Sequence, residues 1–208
     1  MGRKNAWMLA IVGLVVLAAY ACATTKWVNT WMEPAAASAG TLKNILVIGM
    51  SPDMATRRIY EDTLVQSFKS AKVAATPSYS VLPEGEVSED VLRAKVKEGG
   101  FGGVIITRLI GKEDKQEYIP PTTTAGYGGY GWGPYYSGYG GWYGASYSPG
   151  YMKNTTVARV QTRLWSTAGE GKPVWTGVSE TVDPGKASTW SSEMSGLVIR
   201  ELRVNKLI

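Results

Sequence analysis

Histidine is absent from all 208 residues. That removes Ser-His-Asp and Cys-His catalysis, together with the commonest side chain at zinc and iron sites. Cysteine occurs once, at Cys22, so no disulfide can form within the chain. A strong charge imbalance is missing too. The formal charge is +5, from 22 basic and 17 acidic residues, and setting aside Arg3 and Lys4 leaves 20 basic residues and a balance near +3. Nucleic-acid binding calls for a concentrated basic stripe, and this balance makes no case for it. Weak attraction to anionic lipid headgroups or cell-wall polymers stays open. Apolar residues are not scarce: at 44 % they allow one packed core in a chain of this length.

What is present begins with Arg3 and Lys4, an uncharged run from Trp7 to Ala21, and small residues at Ala19 and Ala21 directly before Cys22. A basic start, an apolar stretch and small residues before a cut describe an export leader. Ala19-Tyr20-Ala21-Cys22 resembles the lipobox read by the bacterial lipoprotein-processing peptidase. The resemblance implies a signal peptide over 1–21 and a covalent diacylglycerol and N-acyl (palmitate-type) lipid on Cys22. No other cofactor and no metal is expected. In that pathway the residue after the cysteine sorts lipoproteins between membranes, and Ala23 implies the periplasmic face of the outer membrane. Two alternatives remain. One is an uncleaved helix in the inner membrane, near the lower limit of the roughly 17–25 residues that span a bilayer. The other is a leader cut without lipidation. A chain without paired cysteines also suits an oxidising compartment.

Downstream, residues 22–41 read as a tether, small and poorly structured around Glu33-Pro34-Ala35-Ala36-Ala37-Ser38-Ala39-Gly40. Trp27 and Trp31 within it suit either lipid headgroups or packing against the domain. The folded part is placed at 42–208. Ile45-Leu46-Val47-Ile48-Gly49 reads as a buried central strand. Ser51-Pro52-Asp53 starts a helix to about Ala71, with Tyr60, Leu64 and Phe68 on one face. Val73 to Leu82 suggests a strand weakened by Pro77. Ser88-Glu89-Asp90 opens a second helix with Val91, Leu92 and Val96 as its apolar stripe, stopped by Gly99-Gly100. Gly103 to Ile110 is a third strand, running on with alternating character to Ile119. Residues 120–152 form a low-complexity Gly/Tyr insertion. A strand from about Thr155, its hairpin partner from Pro173 to Val182 and a helix from Ala187 to Val204 complete the chain. The fold class is α/β or α+β: a single domain with a mixed sheet, in the order β-α-β-α-β-(Gly/Tyr-rich loop)-β-β-α.

Ile45–Gly49, Gly126–Tyr151, Val174-Trp175-Thr176-Gly177 and the closing segment to Ile208 resemble, in order, small bacterial envelope lipoproteins of unknown function. The element order is similar to the amino-terminal domain of TolB and to the lipoprotein activators of cell-wall synthases. This resemblance implies architecture and location, and no catalytic residues.

Candidate sites are few. Gly126-Tyr127-Gly128-Gly129-Tyr130-Gly131 satisfies a dinucleotide-binding spacing, but it lacks the strand before and the helix after that the chemistry requires. Gly99–Gly103 lies at a helix end, the wrong side for phosphate. Asn154-Thr155-Thr156 fits a glycosylation acceptor and carries little weight in a bacterial chain. Paired carboxylates such as Glu61-Asp62, Glu89-Asp90 and Glu113-Asp114 read as solvated charge. The aromatic side chains Tyr127, Tyr130, Trp132, Tyr135, Tyr136, Tyr139, Trp142 and Tyr143 offer flat amphipathic contacts, and long loops of this kind either bind something or act as spacers. The expected function is a non-enzymatic interaction or assembly module of the cell envelope, with a membrane partner through the lipid and a protein or glycan partner through the loop. Peptidoglycan or other glycan binding by that loop is the alternative. An envelope hydrolase with two carboxylates in one cleft is a more distant one.

Overall fold

The structure is a computed structural model that describes residues 24–36, 40–83, 87–124, 146–168 and 171–208. Within these, the strands are β1 (Thr25–Met32), β2 (Ile45–Met50), β3 (Ala75–Pro77), β4 (Gly103–Ile119), β5 (Thr122–Thr124), β6 (Ser146–Ser148), β7 (Tyr151–Ser166) and β8 (Pro173–Val182). The helices are α1 (Met54–Ser70), α2 (Glu89–Glu98) and α3 (Ala187–Val204), with one 3-10 turn at Ser78–Ser80.

Six strands form one mixed sheet in the order β1-β8-β7-β4-β2-β3. β2 runs parallel to β3 and β4, as two crossovers through α1 and α2 require. β8 is antiparallel to both β1 and β7. This is the single-domain α+β class with a mixed sheet expected from the element order. Two faces explain the sequence pattern. In β7 the alternating residues Ala158, Val160, Thr162 and Leu164 are buried. Their neighbours turn to the other side, where Arg159 is exposed and Gln161, Arg163 and Trp165 are half-buried. β2 is buried on both faces, which is why it carries no polar alternation.

One face of the sheet meets α1 and α3. Its core joins Ile45, Val47, Tyr60, Leu64, Phe68, Ile105, Val160, Leu164, Trp175, Met194, Val198 and Leu202. The other face meets α2, through Leu46, Phe101 and Val104 with Leu92 and Val96 against them. α2 makes the Ser88 cap and the Gly99 end that its sequence predicts. α1 is capped by Asp53 rather than by Ser51: its carboxylate accepts the Thr56 amide at 2.8 Å.

Those Thr56 hydrogen bonds hold the Asp53 carboxyl below its ordinary value of 3.8. A carboxyl lowered in the folded state stabilises above the unfolded value and loses that contribution as pH falls through the folded one. Asp53→Ala is therefore expected to lower the melting temperature at neutral pH. Its difference from the parent protein should shrink once pH drops below 3.8, as read by circular dichroism melts across pH.

The structure corrects the tether. Thr25–Met32 lies inside the span 22–41, yet it is a strand of the sheet. Trp27 turns inward onto Trp175, ring centroids 5.2 Å apart and nearly perpendicular. Trp31 is 48 % exposed. Paired backbone and a buried aromatic edge outweigh the loose composition that follows at 33–40. The strand expected from Val73 to Leu82 is also shorter than its pattern suggested. Only Ala75–Pro77 pairs, because proline ends the ladder and the 3-10 turn follows directly.

Asp114–Thr156 is a second compact unit, into which β4 and β7 continue. Within it Thr156 donates to Asp114 at 2.6 Å, and β5 and β6 pair antiparallel from Thr122↔Ser148 to Thr124↔Ser146. The span 120–152 thus holds two short strands and the start of β7, regular structure that its composition did not suggest. Among the described residues no helix is long and apolar enough to cross a membrane.

Candidate functional site

Cys22 and the aromatic series Tyr127, Tyr130, Trp132, Tyr135, Tyr136, Tyr139, Trp142 and Tyr143 all lie outside the described residues. The paired strands β5 and β6 lie on either side of residues 125–145 in the sequence.

The described residues build a different site, at the carboxyl ends of the parallel strands. β2 ends at Met50, the chain turns through Ser51-Pro52, and α1 starts beneath the turn. β4 passes alongside at Thr107–Lys112. Trp190 from the first turn of α3 and Pro184 from the loop before it close the other side. Together they line a cavity of about 270 Å³. Open sheets place ligands in this position, beyond the carboxyl edge of the strands.

The floor of the cavity is apolar and fixed. Tyr60 and Trp190 stack at 5.3 Å between centroids, tilted by 33°, beside Ala158 and Val160. The Tyr60 hydroxyl shares a 2.7 Å hydrogen bond with Thr107, which shares a 3.0 Å bond with Thr162. Burial pushes the Tyr60 phenol well above its ordinary value of 10.0, so it stays neutral and occupied in this chain of hydroxyls. Leu109, two residues beyond Thr107 on the same strand, also lines it and is 57 % exposed.

Cations, and no carboxylate, line this cavity. Arg57 is committed below it. The Arg108 guanidinium turns to the opposite face of the sheet, where it donates to the Gln161 side-chain oxygen through Nε at 3.2 Å and a terminal nitrogen at 3.1 Å. Lys112 is exposed and has no ion pair among the described residues. Asp53, at the start of α1, is occupied as the helix cap.

Arg57 leads to the largest departure from the sequence reading. Glu61 was expected in solvent, and it is fully buried. One of its oxygens accepts from the Gly49 amide at 2.9 Å, Arg57 Nε at 3.0 Å and the Ser78 hydroxyl at 2.7 Å. The other accepts the Tyr79 amide at 3.3 Å. Arg57 also reaches Ser78 at 2.7 Å. A buried charge needs this degree of pairing. The network ties the end of β2, α1 and the 3-10 turn together behind the cavity. Its neighbour Asp62 does lie at the surface, where it accepts the Tyr79 hydroxyl; that bond holds the Tyr79 phenol above its usual range.

On the opposite face of the sheet, α2 and the β4–β7 region border a wider, open groove of about 790 Å³, with Phe101, Ile106 and Trp165 along it. Its one carboxylate, Glu89, bonds Arg93. Five cavities lined by described residues each hold at most one carboxylate. Among the described residues no three potential ligands cluster as a metal site would need.

Fold and cavity together describe an α+β domain with a largely apolar pocket at its strand ends. No family model matches the chain, and no curated protein matches it. Among solved structures it is similar to a PelC dodecamer from Paraburkholderia phytofirmans, at 11 % identity and a TM-score of 0.43, covering 84 % of this chain and 95 % of that one. A substituted PelC dodecamer in another crystal form gives 10 % identity and 0.42, over 86 % and 94 % of the chains. A PDZ domain protein from Parabacteroides distasonis gives 7 % and 0.34, with 87 % of this chain and 35 % of that one covered. Likeness this remote leaves function to the site itself.

Proposed function

We propose that this chain is a lipid-anchored protein of the bacterial cell envelope that works by binding, as an interaction or assembly module. The observation that carries the reading is the order of residues at the start: a basic pair, an uncharged run, small residues, and a lone cysteine. The fold gives the reading a physical form. β1 begins three residues after Cys22, at Thr25. Only Ala23 lies between Cys22 and Thr24, a reach of at most about 7 Å. Thr24 is fixed in turn: its carbonyl accepts the Val182 amide at 3.2 Å and its hydroxyl bonds Glu193 at 3.0 Å. A lipid on Cys22 would therefore hold the sheet close against the bilayer, with no long spacer. Pro184 at the cavity wall follows Val182 by two residues, so the cavity belongs to the same end of the domain. Binding rather than catalysis is favoured by the missing histidine and by cavities that hold one carboxylate or none.

Metabolic labelling with an alkyne palmitate tests the anchor. Label and membrane flotation are expected in the parent protein and lost in Cys22→Ser. An intact Met1 terminus, or an unlabelled thiol, would overturn the proposal. Deleting residues 125–145 and joining β5 to β6 by a short turn tests the module: crosslinked envelope partners should disappear while the melting temperature holds. An unchanged crosslinking profile counts against a role for the aromatic connection.

A further inference from the structure

We infer that the sheet face opposite α1 and α3 binds an acidic, apolar peptide segment. A carboxylate of the segment sits between Arg108 and Arg163, and its apolar side chains lie in the groove along α2. The site is separate from the anchor and from the aromatic series, and the inference stands whether or not Cys22 carries lipid.

The arginine pair supplies the charge. Gln161, Arg163 and Trp165 alternate along β7 and so share one face. Arg108 reaches that face from β4, where it bonds Gln161. With Met50 and Ile106 these side chains line a hollow of about 170 Å³ that contains no carboxylate. Arg163 makes no hydrogen bond or ion pair among the described residues, and its Nε is buried without an acceptor. Glu180, on the adjoining strand, is bonded to Arg159 at 2.7 Å. Buried donors are normally paired, so Arg163 lacks a partner that the domain itself does not supply. A planar carboxylate meets a guanidinium through two parallel hydrogen bonds.

The apolar part of the ligand follows from the groove. The hollow shares Ile106 and Trp165 with the 790 Å³ groove beside α2, so the two are continuous. α2 buries none of its residues fully, which leaves Leu92 and Val96 half-open along the wall. The groove volume lies within the roughly 300–1,000 Å³ of ligand pockets. Its carboxylate, Glu89, is held by Arg93, while Lys97 has no ion pair among the described residues. The net charge facing a ligand is therefore positive at both ends of the apolar stretch. An alkyl chain in so open a groove would keep one side in water. A peptide can turn its backbone to the water and its side chains to the wall. Trp, Met and Arg, the types gathered here, are those that concentrate in protein-binding patches.

The test uses the full chain held in an amphipathic polymer, with acetyl-Asp-photoleucine-Phe-Glu-amide as the probe. Labelling by its diazirine is expected to saturate and to map to the peptides containing Leu92, Ile106 or Trp165. Unlabelled acetyl-Asp-Leu-Phe-Glu-amide should compete about tenfold better than acetyl-Asn-Leu-Phe-Gln-amide, which has the same shape and no charge. It should also compete about tenfold better than dodecanoate, which has the charge and no peptide backbone. Arg163→Met should weaken binding about tenfold. Its melting temperature should equal or exceed that of the parent, because the change removes a buried donor that had no acceptor. Lys97→Gln alters an exposed side chain and should weaken binding about threefold with an unchanged melt. The inference is overturned if labelling does not saturate or falls outside these peptides. It is overturned equally if the uncharged peptide or dodecanoate competes as well as the acidic one, if neither variant weakens binding, or if Arg163→Met melts below the parent.

Discussion

Glu61→Ala should lower the stability of the domain by about 3–5 kcal/mol, the usual cost of breaking a buried ion pair from one side. For a domain of this size that is a fall in melting temperature on the order of 10 °C. The loss has a definite origin. Arg57, with its side chain 14 % exposed, keeps its charge but loses the carboxylate. The Gly49 amide at the end of β2 and the Tyr79 amide lose their acceptor, and the Ser78 hydroxyl must find another. Glu61→Gln should fall between parent and alanine variant. It keeps the shape and one acceptor oxygen, but turns an amide donor toward groups that already donate. Asp62→Ala is the matched control: its carboxylate is at the surface, and the change should cost less than about 1 kcal/mol. Thermal melts of the three variants decide the matter, and a Glu61→Ala melt within 2 °C of the Asp62→Ala melt, by the scale above, would refute it.

Trp175→Ala should cost about as much, roughly 3–5 kcal/mol, and in a different way. The indole is fully buried and is the inward anchor for β1, through the edge-on contact with Trp27. Gly177 makes room for both rings. A Cβ built there would sit 2.6 Å from Trp175 and 2.7 Å from Trp27. Removing the indole leaves a cavity beneath an edge strand held on one side only. Beyond a lower melting temperature, limited proteolysis should therefore begin cutting in Thr25–Met32 before the rest of the domain opens. Trp175→Phe should keep most of the resistance. Cleavage that begins elsewhere in both variants would mean that β1 does not depend on this contact.

Much of the sheet was legible because its residues obey one local rule at a time. β8 and α3 begin and end where their patterns do. β7 shows its two faces in plain alternation. β1 was not legible, because its pairing partner lies about 150 residues away (Thr25 faces Thr181), and the short-range signals around it belong to a leader and a small-residue stretch. Glu61 was misread by weighing residue type over position. Arg57, Glu61, Leu64 and Phe68 are spaced 4, 3 and 4 apart, a single helical stripe, so an acid on it had to be paired. The strand-end cavity draws on four separated segments, and no window of sequence holds it.

The pairing of β1 with β8 also bears on the order of assembly. The Thr25–Thr181 hydroxyl bond closes a loop of 156 positions, the kind of long-range closure that slows folding. Whether the chain emerges from a ribosome or from a translocation channel, its earliest strand cannot find its mate until nearly all the rest has followed. During that interval Trp27 has no indole to meet, and β8 presents a bare edge open to pairing with another chain. A holding chaperone, or rapid completion of the carboxyl-terminal third, is what this topology demands of the cell that makes it.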